Sequence, residues 1–135
     1  MILTIFCDGG SRNNPGEAAY GFVVYEEEKE IFKHGGRIGV ATNNVAEYTA
    51  IVKALIWVKE NINSCSEIHF FLDSALAVNQ MNGIFKVKNE GLRSLYFTAK
   101  SLEKIMSIKT IYTAIPREKN KEADRMVNLA LDGKI

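Results

Sequence analysis

Ile2-Leu3-Thr4-Ile5-Phe6-Cys7-Asp8-Gly9-Gly10-Ser11-Arg12-Asn13-Asn14-Pro15-Gly16 is an apolar run that ends on an aspartate and opens into a turn rich in glycine and asparagine. The run predicts a buried strand over residues 2–8, because short apolar stretches bounded by turn residues have that character. A carboxylate at the end of such a strand is costly unless something compensates its charge. Taken alone, Asp8 also reads as the first residue of an Asx-type turn before Gly9-Gly10. Its neighbours in space decide between these readings.

Residues 18–26 and 30–38 are rich in β-formers and are joined by the polar stretch Glu27-Glu28-Lys29, which predicts an antiparallel meander. Gly35-Gly36 reads as a bulge or strand end. From Asn44 the period changes: Tyr48, Ile51, Val52, Leu55 and Val58 recur at helical spacing to about Asn61. A strand over 66–72 then ends at Asp73, and a short helix over 74–81 is stopped by Asn82-Gly83. A helix over 91–106 turns Leu92, Leu95, Tyr96, Ala99, Leu102 and Ile105 or Met106 inward. Residues 109–115 form the fifth strand, and Asn120 caps a final helix with Ala123, Val127, Ala130 and Leu131 on its apolar face. The order βββαβααβα is an α/β arrangement, a mixed five-stranded sheet flanked by helices. With no linker or repeat, residues 1–135 are expected to form one domain, a length that suits a single core.

Composition narrows the class. The chain is 47% hydrophobic and 24% charged with a net charge of +1, so no global basic field points to a polyanionic partner, and only local patches could serve one. No apolar run approaches the roughly 18–20 residues of a membrane span, and the N-terminus lacks the features of a signal peptide. Cys7 and Cys65 make no C-x-x-C or zinc pattern and read as reduced core residues. We therefore expect a cytoplasmic protein that makes no use of a membrane.

Four acids begin or end predicted elements: Asp8, Glu47, Asp73 and Asp124. Each has a local alternative. Asp73 could cap the following helix. Glu47 lies three residues after Asn44, the pattern of a capping box, yet shares a helix face with Ile51 and Ala54. Asp124 sits in the first turn of the last helix, where a carboxylate suits the helix dipole, and shares a face with Val127 and Leu131. Glu118 and Glu122 fall in the loop or on the polar side. Together, two strand-end and two helix-start carboxylates on one sheet edge fit hard, oxygen-ligated Mg²⁺ or Mn²⁺. Two such ions would clamp the attacking and leaving oxygens of a phosphoryl transfer.

In this order the residues resemble the type 1 ribonuclease H family, across nearly the whole chain and in four blocks: residues 8–16, Thr42-Asn43-Asn44-Val45-Ala46-Glu47, residues 73–80, and Pro116-Arg117-Glu118-Lys119-Asn120-Lys121-Glu122-Ala123-Asp124. The resemblance implies the ribonuclease H-like fold and endonucleolytic hydrolysis of the RNA strand of RNA–DNA hybrids, leaving 5′-phosphate and 3′-hydroxyl ends. It implies that Asp8 bridges two ions, that Glu47 and Asp73 hold one of them and help orient the nucleophile, and that Asp124 completes the other site. A water activated there attacks phosphorus while the second ion stabilises the departing 3′-oxygen. The Gly9-Gly10 backbone would approach RNA closely. Asn14, Asn43 and Asn44 would reach the minor groove, and Thr42 would contribute to a DNA phosphate site; turn and capping chemistry is the alternative for the asparagines. Arg12 and Arg37 read better as solvated charge than as phosphate contacts.

Two departures from the family pattern follow. Many members carry a histidine before the last helix, whereas here that loop holds only Arg117 as a substitute, either binding phosphate to ease product departure or making a surface ion pair. His34 and His69 read as strand residues. The basic helix and loop that some members insert is replaced by residues 82–91, where Lys86 and Lys88 are the only positive charges. Weak, salt-sensitive hybrid binding is the expectation, with double-stranded RNA as a further possible substrate and a non-catalytic hybrid-binding module as the alternative class. A start Met directly before the first strand leads us to expect a free-standing monomer rather than a domain cut from a reverse-transcriptase polyprotein.

Overall fold

The computed structural model describes residues 1–135. Its strands are β1 (Ile2–Ser11), β2 (Gly16–Glu26), β3 (Lys29–Ala41), β4 (Glu67–Leu72) and β5 (Lys109–Ala114), and its helices are α1 (Asn43–Asn61), α2 (Ala75–Met81), α3 (Glu90–Met106) and α4 (Lys121–Leu131). The five strands form one sheet in the order β3-β2-β1-β4-β5. β1, β2 and β3 pair antiparallel, while β4 pairs parallel to both β1 and β5. The expected meander and the crossovers that follow it are all present.

Strand alternation sorts the core into two layers. Tyr20, Phe22 and Val24 point into the main cluster with Leu3, Ile5, Ile51 and Leu55, whereas Ala19 faces a smaller cluster made by Val127 and Ala130. Successive strand residues face opposite sides, so α1 and α4 lie on opposite faces of the sheet. α1 packs on β1 and against α3, and α4 lies across β2 and β3. The inward face read for α1 is buried at every position named: Tyr48, Ile51, Val52, Leu55 and Val58. In α3 only Leu92 and Ala99 are fully buried, and Ile105 is exposed, leaving Met106 as the partly buried end of that stripe.

Several boundaries move, each for a local reason. β1 runs three residues past Asp8, because β2 continues to pair with it as far as Ser11. Asp8 is therefore inside a strand and does not open an Asx turn. β3 runs through Gly35-Gly36 to Ala41, and its irregularities fall elsewhere, between Ala18 and Ala19 and between Val24 and Tyr25 of the paired strand. Gly35 is there for packing: a Cβ would stand 2.6 Å from the Met126 carbonyl oxygen of α4. Thr42, not Asn44, caps α1 by accepting from the Val45 N–H, which rules out the Asn44–Glu47 capping box. Likewise Ser74, not Asp73, caps α2 through the Ala77 N–H.

Candidate active site

Parallel pairing of β1 with β4 stops at Phe6 and Phe71, while β1 keeps its bonds to β2. The two strands part at their carboxyl ends, and a crevice opens where ligands of α/β sheets bind. Asp8 lies on β1 just beyond the last pair, and Asp73 follows the last residue of β4. The start of α1 brings Glu47 over the crevice, and the start of α4 brings Asp124 from the other face. All four line one cleft of about 520 Å³, together with Arg117, Gly9, Gly10 and Asn43. The local alternatives for Glu47 and Asp73 fail because neither side chain is used as a cap.

The cleft is charged against its own interest. Asp8 and Glu47 are 8% and 9% exposed. Burial raises the Asp8 carboxyl to about 8, helped by the charge of Asp73 and by its contact with Asp124. Burial also lifts Glu47 to about 7, against an attraction from the Ser74 hydroxyl and with a smaller push from Asp73. Asp73 is raised by its own desolvation, opposed by the Arg117 guanidinium. One oxygen of Glu47, Oε2, is buried without any hydrogen-bond partner. Desolvated, mutually repelling carboxylates with an orphaned oxygen are the donor set of a hard divalent cation. No three acidic side chains close into a tight ligand cage by themselves. The fit rests on the donor chemistry of the four carboxylates and not on a preformed cage. The residues fit the metal.

The predicted substrate residues divide into two sets. Gly10 is open towards the cleft: a Cβ added there would meet nothing nearer than Asn43 Oδ1 at 3.9 Å. Gly9 is shaped by packing as well: a Cβ there would fall 2.2 Å from the Ala46 carbonyl carbon, at the start of α1. Asn43 Oδ1 accepts from the Ser11 N–H at 2.8 Å, and Asn14 Oδ1 accepts from the Asn43 N–H at 3.1 Å. These bonds lock the turn after β1 to the start of α1. Asn14, Thr42 and Asn44 lie on the rim and do not line the cleft.

Arg117 sits in a single 3-10 turn, residues Arg117–Lys119, with its side chain 82% exposed and Nη2 4.0 Å from Asp124 Oδ1. Arg12 is engaged across the rim by Asp132 at 2.5 Å. His69 contacts the Glu67 carboxylate and His34 lies among Tyr20, Phe22 and Phe32, so neither reaches the cleft. Sequence reasoning misses Ser74, whose hydroxyl both caps α2 and supports Glu47. Its position beside Asp73 is the available signal. Asn120, expected as a cap, makes no side-chain cap bond and turns into the core.

A mixed five-stranded sheet in this order, with four acids gathered where its parallel strands part, defines the ribonuclease H-like class of α/β folds. The RNase H family model matches residues 2–131, and the chain belongs to that family. It is 39% identical over 135 residues to the bifunctional protein Rv2228c of Mycobacterium tuberculosis, covering 98% of this chain and 36% of that protein. It is 37% identical over 128 residues to ribonuclease HI of Halobacterium salinarum, covering 94% of this chain and 63% of the relative. The chain thus spans about a third of the length of the mycobacterial relatives it matches. Among solved structures, LC11-RNase H1 in complex with an RNA/DNA hybrid superposes with a TM-score of 0.91 at 35% identity, covering 97% of both chains. RNase H1 of Halobacterium salinarum superposes with a TM-score of 0.91 at 33% identity, covering 98% of this chain and 99% of that one. The chain's fold is that of the type 1 RNase H structures it superposes on.

Proposed function

We propose that this chain is a divalent-metal-dependent ribonuclease H that hydrolyses the RNA strand of RNA–DNA hybrids to 5′-phosphate and 3′-hydroxyl ends. The observation that carries the proposal is the convergence of Asp8, Glu47, Asp73 and Asp124 on one cleft, with the first two desolvated enough to hold protons near neutrality. Similarity to a protein whose structure holds an RNA/DNA hybrid supports the substrate class.

Asp8, which interacts with both Asp73 and Asp124, would hold Mg²⁺ or Mn²⁺ together with Glu47, Asp73 and Asp124. When bound, the ions supply charge that lowers the pKa of a water and steadies the departing oxygen. Cation binding requires Asp8 and Glu47 to lose their protons, so the cleft becomes competent as pH rises through about 7–8. Gly10 leaves the cleft floor open to close approach by the sugar–phosphate backbone. Arg117, exposed at the mouth, is placed to bind phosphate in a bidentate fork. It is a permanent cation and cannot act as a base at neutral pH.

The test uses labelled RNA–DNA hybrid, double-stranded RNA and single-stranded RNA with Mg²⁺, Mn²⁺ or chelator. Cleavage of the RNA strand of the hybrid, dependent on either metal, is the expected result. Hybrid left intact with both metals would falsify the enzyme reading and leave a hybrid-binding module, while cleavage of double-stranded RNA would broaden the specificity.

A further inference from the structure

The side chain of Asn120 is 1% exposed and stands at the N-cap position of α4, where its oxygen would ordinarily accept from an unpaired helix N–H. It makes no such bond. Instead, Nδ2 donates to the Cys7 carbonyl at 2.8 Å, across 113 residues of sequence, and Oδ1 is buried with no hydrogen-bond partner. The cost of an orphaned buried acceptor is at least comparable with the gain from one donated bond. The net stabilisation from this side chain is therefore small.

Its connections run to the cleft. The Cys7 carbonyl belongs to the peptide directly before Asp8. The Asn120 carbonyl accepts from the Asp124 N–H at 3.1 Å, and the Asn120 N–H donates to the Arg117 carbonyl at 3.0 Å. One residue thus ties the backbone behind Asp8 to the first turn of the helix carrying Asp124 and to the short turn carrying Arg117. β1 and α4 otherwise meet through packing and through the contact of Asp8 with Asp124, whose like charges repel once both are ionised. The buried Asn120 bond instead fixes a distance and a direction.

We propose that Asn120 is a positioning residue that sets the placement of Asp124 and Arg117 against Asp8, and so the affinity of the cleft for a divalent cation. The inference rests on the metal-dependent reading given above. Asn120→Ser separates the two roles of the position, because serine is a good helix cap but is too short to hold the Cys7 carbonyl. Mn²⁺ binding to the 135-residue protein without substrate, followed by electron paramagnetic resonance, is compared with thermal unfolding of the same samples. Asn120→Ser is expected to melt no lower than Val58→Ala while Mn²⁺ affinity falls about 10- to 100-fold, the usual effect of losing a residue that orients a ligand. Asn120→Ala removes the tether without supplying the cap that serine can make, and serves as the second variant. Val58→Ala, a core change remote from the cleft, controls for destabilisation alone and keeps wild-type Mn²⁺ affinity. Variants at position 120 that bind Mn²⁺ within twofold of wild type overturn the positioning role. Wild-type protein that neither binds Mn²⁺ nor cleaves hybrid overturns the metal-dependent reading, and this inference with it.

Discussion

Asp8 bears the heaviest electrostatic load of the four acids, since burial, Asp73 and Asp124 all push its carboxyl upward. Replacing it by asparagine removes a charge that the metal-free protein hosts poorly. Asp8→Asn is expected to abolish hybrid cleavage while raising metal-free stability at pH 8–9 by about 1–2 kcal/mol, measured by urea unfolding. A variant that is inactive and less stable than wild type would show that Asp8 serves the fold rather than the cation. Arg117 has a smaller task. Its exposure and its 4.0 Å distance from Asp124 make it a contact for substrate rather than a pillar of the site. Arg117→Ala should slow turnover roughly tenfold, the scale of one charge-assisted hydrogen bond, without changing the melting temperature. Steady-state kinetics equal to wild type would remove it from the mechanism.

At the scale of elements, the site depends on how closely the start of α1 lies against β1. Gly9 permits that approach, because a Cβ would collide with backbone atoms of Ala46 and Glu47 that cannot move independently of the helix. Gly9→Ala is expected to cost roughly 2–3 kcal/mol of stability and to displace Glu47, so that activity and the urea midpoint fall together. This role lies beyond sequence reading. A glycine beside an aspartate signals an open backbone, but nothing local says that a helix some forty residues later packs onto it. Thr42 is a parallel case: expected at a phosphate site, it is also made the cap of α1 by the fold. Sequence alone places that cap at Asn44 because both asparagines and the threonine favour caps, and only the observed first turn chooses among them.

Across the whole molecule, pH and salt report on the same charges. Asp8 and Glu47 hold protons in the folded protein up to about 8 and 7, far above ordinary carboxylates in the unfolded chain. Their contribution to stability is therefore complete at low pH and is lost as pH rises towards 8. Metal-free wild type should lose melting temperature relative to Asp8→Asn between about pH 5 and 9, and Mg²⁺ should stabilise wild type more at pH 8 than at pH 5. Differential scanning calorimetry of both proteins, with and without Mg²⁺, checks the sign. Salt dependence of hybrid binding counts the cations that reach phosphate. Arg117 lines the cleft, and Lys86 and Lys88 stand exposed in the segment after α2, so these three are the cations on which the expectation rests. A log–log slope of about 2–3 is expected, at slightly under one unit per phosphate. Few cations make binding weak, and for the same reason its slope is shallow.

The element order, the inward faces of the helices and the four acids can be read directly, because helical and strand periodicity are local properties of the chain and each acid stands beside a strand or helix boundary. Periodicity also tells which side of α1 is buried, and so that Glu47 faces the sheet. Tertiary structure alone decides that β1 continues past Asp8 while β4 lets go, which is what opens the cleft. It alone shows that Gly9 and Gly35 are packing positions, and that Asn120 reaches across 113 residues to the peptide behind Asp8. The physical reason is range. Propensity and amphipathicity act over a few residues, whereas desolvation, close approach and buried hydrogen bonds depend on neighbours that only the folded sheet brings together.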